Sequence, residues 1–117
     1  MKENNKDLSP INRQEVLERI GGDEGFLAEL LEIYQEEFKK RYGDLEKAIK
    51  DKDFQLIAES GHSLKGASAN LSLPGLREAS WQMEMAGKNQ DLEGARKALQ
   101  ALKKEYQRLQ KFLQSGG

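Results

Sequence analysis

Leu92, Ala95, Leu99, Leu102, Tyr106, Leu109 and Leu113 recur at alternating intervals of three and four residues, without a break. That spacing places them on one stripe of an α-helix. A stripe this long must be covered by other apolar surface. One possible cover is a second copy of the chain in a coiled-coil dimer. The other lies within the chain, where three more stretches have apolar faces of their own. Leu27, Leu30, Leu31, Tyr34, Phe38, Tyr42, Leu45 and Ile49 form the first. Phe54, Ile57, Leu64 and Leu71, with Gly61 and Ser68 between them, form the second. Leu76, Ala79, Met83 and Ala86 form the third. Intramolecular packing is therefore preferred. The fold expected is all-α, an antiparallel four-helix bundle with helices near 23–50, 53–70, 74–87 and 91–113, and a monomer.

The boundaries carry their own signals. Asp23 and Asp53 stand where N-caps belong, and Pro74 can open a helix at its first turn. Gly43 interrupts the first long stretch, but the apolar period runs through it, so one helix is expected there. Asn12 and Glu15 have capping-box spacing. They predict a short helix through Val16, Leu17 and Ile20, stopped by Gly21-Gly22 and lidding one end of the bundle. Residues 1–9 are polar and patternless and are expected to be disordered; 10–114 form the domain and 115–117 a frayed tail.

At 117 residues the chain is long enough for one core. It has no cysteine, so no disulfide is expected. No apolar run approaches the length of a membrane span, and no charged leader precedes an apolar core. Neither membrane insertion nor export is expected, and the cytoplasm is the default. A third of the residues are charged, yet the net charge is −1. Interspersed signs describe a solvated helical surface and argue against nucleic-acid binding.

His62 is the single histidine, and it lies about 100° round the helix from the apolar stripe, between core and solvent. Its helical neighbours Ala58, Gly66 and Ala69 are small, Gly61 precedes it, and Lys65 follows one turn later. Each interior glycine costs a helix about 1 kcal/mol relative to alanine. Keeping Gly61 and Gly66 small suggests that a large body, another protein's surface, must come close to the imidazole. A neutral imidazole beside a fixed cation suits an anionic group, and phosphoryl is the natural candidate. Between Phe54 and Leu76 the only full charges are Glu59 and Lys65. That quiet zone fits a docking face and equally fits a central, more buried helix.

Other chemistries fit less well. Gly61-His62-Ser63-Leu64-Lys65 falls one residue short of a G-x-S-x-G nucleophile elbow, which needs a preceding strand and a separate histidine base. The lysine precedes Gly66 instead of following it, against the order of a phosphate-binding loop. A lone histidine with no cysteine supports no metal site. A histidine merely satisfied at a helix–helix edge remains the plain alternative, and with it a non-catalytic adaptor bundle.

His62-Ser63-Leu64-Lys65-Gly66-Ala67-Ser68-Ala69-Asn70-Leu71 resembles the phosphorylation motif of histidine-containing phosphotransfer (HPt) domains, and the similarity extends over roughly residues 10 to 113. Ile20-Gly21-Gly22-Asp23, Asp51-Lys52-Asp53 and Gln82-Met83-Glu84 stand where that family carries similar residues. The resemblance implies a phosphocarrier of a bacterial-type phosphorelay, without ATP-binding or kinase motifs. His62 would accept phosphoryl through Nε2 from a receiver-domain aspartyl phosphate, and Lys65 would offset charge on the phosphoryl oxygens. Glu84 would face His62 from the neighbouring helix and orient the ring; its plain reading is a surface pair with Lys88. Arg77 and Lys88 could attract an acidic partner. The implied partners are response-regulator receivers or a hybrid sensor histidine kinase. Magnesium would come with the receiver, and no cofactor is expected here. Ser72 stands where the family usually has glycine, which bears on the turn and not on the chemistry.

Overall fold

The computed structural model describes residues 9–115. Among them are five helices and no strand: α1 (Arg13–Arg19), α2 (Glu24–Lys50), α3 (Phe54–Asn70), α4 (Pro74–Lys88) and α5 (Leu92–Gln114). The expected disordered stretch lies outside the described residues apart from Ser9, and the expected frayed tail apart from Ser115. α2 runs unbroken through Gly43. The side chains of Asn12, Asp23, Asp53 and Asp91 each accept a backbone N–H in the first turn of the helix they precede.

Three-residue links join α2 to α3, α3 to α4 and α4 to α5, which sets successive helices antiparallel. All three links are built alike. Lys52, Ser72 and Gln90 adopt left-handed backbone angles, with φ of 56°, 56° and 54°. The N–H of the next residue reaches back into the last turn, from Asp53 to the Ala48 carbonyl, Leu73 to Ser68 and Asp91 to Ala86, at 2.8–2.9 Å. These are Schellman endings, and in two of them the closing residue, Asp53 or Asp91, also caps the next helix through its side chain.

The apolar stripes meet in one core. Leu27, Leu45, Ile57, Leu64, Leu76, Met83, Ala95, Leu102 and Leu109 are buried in it. Tyr34 is core, as expected, and its hydroxyl shares a 2.8 Å hydrogen bond with Ser68. Phe38 stacks on Tyr106 with ring centres 4.1 Å apart. α1 lies over the α3–α4 turn. The Asn12 N–H donates to the Ser72 carbonyl at 2.8 Å, and the Ser72 hydroxyl donates to Glu15 at 2.6 Å. No helix among the described residues is long and apolar enough to cross a membrane.

Candidate functional site

α3 has two unlike faces. Ile57, Ser60, Gly61, Leu64 and Ser68 are buried, while Glu59, His62, Ser63 and Gly66 are exposed. His62 stands on the open face, its side chain 69% exposed. Beneath it is a carboxylate from the neighbouring helix: Glu84 of α4, only 5% exposed.

Three donors converge on Glu84. Lys65 Nζ lies 2.7 Å from Oε1, while His62 Nδ1 and Lys88 Nζ each lie 3.1 Å from Oε2. The Lys65 ammonium is the main reason the carboxyl is held down, to about 2, against burial, which pushes it up; Lys88 and His62 help. Glu84 is therefore ionised at neutral pH and can only accept hydrogen bonds. The proton in the His62–Glu84 bond must then sit on Nδ1. In the neutral ring that leaves the lone pair on Nε2, at the exposed side of the molecule. The site can therefore present an imidazole nucleophile with its tautomer fixed from below.

The family model for the Hpt domain matches residues 29–112. The chain belongs to the Hpt domain family. It is also similar to the phosphorelay intermediate protein YPD1 of Candida albicans, with 33% identity over 51 residues. That alignment takes in 44% of this chain and 28% of the relative, so the chain spans less than a third of that protein. No solved structure matches it.

In this Hpt domain the two glycines beside His62 serve different ends, and the expectation for one of them is corrected. Gly61 faces α4, not solvent: a Cβ there would stand 2.5 Å from the Glu84 backbone nitrogen and 3.0 Å from the Ser80 carbonyl. Its smallness lets α4 approach, and leaves no room for a visitor. Gly87 repeats the arrangement from the other side, since a Cβ there would meet the Ala58 backbone nitrogen at 2.4 Å. Gly66, by contrast, has nothing within 4 Å of a would-be Cβ and lies open beside His62. Ala58 and Ala69 are half-buried.

Both readings of Glu84 turn out to coexist in this Hpt domain. It makes the i,i+4 pair with Lys88 and also the bond to His62, but from a buried position. The sequence reading missed Lys65 and Lys88 meeting on one carboxylate, because such a meeting depends on how α3 and α4 pack. It also missed Trp81, 45% exposed on α4, which lines an open cleft of about 360 Å³ with Lys65, Arg77 and Glu78. In the sequence Trp81 stands only as a large apolar residue off the stripe of Leu76, Ala79, Met83 and Ala86.

Proposed function

We propose that this chain is the histidine phosphotransfer module of a phosphorelay, taking phosphoryl on His62 from a receiver aspartyl phosphate and passing it to another receiver. The observation that carries this reading is the exposed His62 ring with Nδ1 held by an ionised, buried Glu84. The Nε2 lone pair attacks phosphorus, and the bond from phosphorus to the donor's carboxylate oxygen breaks. The electron pair leaves with that carboxylate, and the ring keeps its Nδ1 proton against Glu84. Return transfer reverses the same steps, so the chain is a carrier with no net turnover.

Lys65, one turn from His62 on the same helix, would offset charge on the phosphoryl oxygens. Gly66 leaves the approach open. Magnesium, where the transfer uses it, belongs to the receiver. The working form is a cytoplasmic monomer, and a receiver or a hybrid sensor kinase supplies the phosphoryl group.

The test is incubation with a receiver domain carrying labelled aspartyl phosphate. The wild-type chain should acquire an acid-labile, base-stable phosphate, and His62→Gln should acquire none. Label on His62→Gln would refute the assignment. Absence of label on the wild type with every receiver tried would favour the adaptor bundle.

A further inference from the structure

Lys65 has two claims on it. The phosphotransfer reading needs its charge at the phosphoryl group, but in the resting fold its ammonium is 2.7 Å from Glu84 Oε1. Glu84 is 5% exposed, and a buried carboxylate that loses its counterion is strongly destabilised. If Lys65 were the sole partner of Glu84, turning to a phosphoryl group would strand that charge. It is not the sole partner. Lys88 sits on the other carboxylate oxygen, Oε2, and comes from α4 itself, one turn along from Glu84.

We infer that Lys88 is the standing counterion of Glu84, which frees Lys65 to leave that carboxylate for the phosphoryl group on His62. This inference rests on the phosphotransfer reading and makes Lys88 a positioning residue, acting through Glu84 and Lys65. In the resting state the two ammonium groups share one carboxylate. In the phosphorylated state each has its own anion, and Glu84 still holds the His62 Nδ1 proton.

Phosphoramidate is a suitable donor, because no docking partner complicates the result. His62 Nε2 bonds to phosphorus, the phosphorus–nitrogen bond of the donor breaks, and ammonia leaves with a proton from solvent. Lys88→Met keeps the aliphatic stem and removes the charge. It should lower the rate at saturating phosphoramidate about tenfold with little change in the half-saturating concentration. Lys88→Arg should restore most of the rate. In a Glu84→Gln background, where no buried charge needs balancing, Lys88→Met should add less than about a twofold loss. An unchanged rate in Lys88→Met would overturn the proposal, and so would an equal loss in both backgrounds. Failure of the phosphotransfer reading itself would look different: His62→Gln would take label as the wild type does, or the wild type would take none.

Discussion

Gly61 and Glu84 meet backbone to backbone, so closely that a Cβ on Gly61 would stand 2.5 Å from the Glu84 nitrogen and 2.9 Å from its Cα. The contact sets the spacing of α3 and α4 at the level of His62. The bond between His62 Nδ1 and Glu84 depends on that spacing. Gly61→Ala should therefore force the helices apart, costing about 2 kcal/mol by overpacking and lengthening the His62–Glu84 bond. Urea denaturation reads the first effect. Nitrogen-15 spectra of the imidazole read the second, as a smaller share of the Nδ1–H tautomer. A variant as stable as the wild type would refute the close-contact account.

Gly66 gives the opposite expectation one turn away. Nothing lies within 4 Å of its would-be Cβ. Gly66→Ala should thus stabilise the fold, by about 0.5–1 kcal/mol, through helix propensity and a less free unfolded chain. Gly66→Leu should fold as well but slow transfer from a phosphorylated receiver about tenfold, while reaction with phosphoramidate changes about twofold at most. Equal slowing with both donors would show that position 66 affects the imidazole itself and not the approach of a protein.

The helices were legible because burial of one face leaves a period in the sequence. The α5 stripe from Leu92 to Leu113, and Asp23 and Asp53 as caps, needed no knowledge of their neighbours. His62 stood out as an isolated ring on the shoulder of such a stripe. The depth of Glu84 and the meeting of Lys65 and Lys88 on it were not legible, since these pairings cross from α3 to α4 and no single-helix period records them. Gly61 misled for the same reason: a small residue beside a histidine looks the same whether the space admits a partner or a neighbouring helix.

Two of the three left-handed turn residues, Lys52 and Gln90, were equally hidden, because neither is the glycine that normally marks such a position, while Ser72 was marked by the family's usual glycine. An L-residue with φ near +55° costs about 1 kcal/mol relative to glycine. Lys52→Gly and Gln90→Gly should each stabilise the domain by about 0.5–1 kcal/mol in chemical denaturation. Ser72→Gly should gain less, or nothing, because the Ser72 hydroxyl donates to Glu15 at 2.6 Å and ties α1 to the α3–α4 turn. A gain at Ser72 as large as at Gln90 would mean that the Ser72–Glu15 bond contributes nothing. The serine at the family's usual glycine position is thus a strained turn offset by a tether.

Glu84 should leave a signature in the acid limb of stability. Its carboxyl is held at about 2 in the fold, chiefly by Lys65, against an ordinary value of 4.5. A folded value below the unfolded one means stability that is complete above about pH 4.5 and lost as pH falls through about 2. Glu84→Gln has no such proton to take up. At neutral pH it should be less stable than the wild type by about 1–2 kcal/mol, since both lysines are partly in water and their pairing is screened. That difference should shrink steadily below pH 4.5 and be mostly gone by pH 2, where the wild-type carboxyl is about half protonated. Urea midpoints of the two proteins from pH 7 to pH 2 measure it. A difference that stayed constant over that range would show that Glu84 supports the fold by packing alone, and that its charge is not what the two lysines and His62 share.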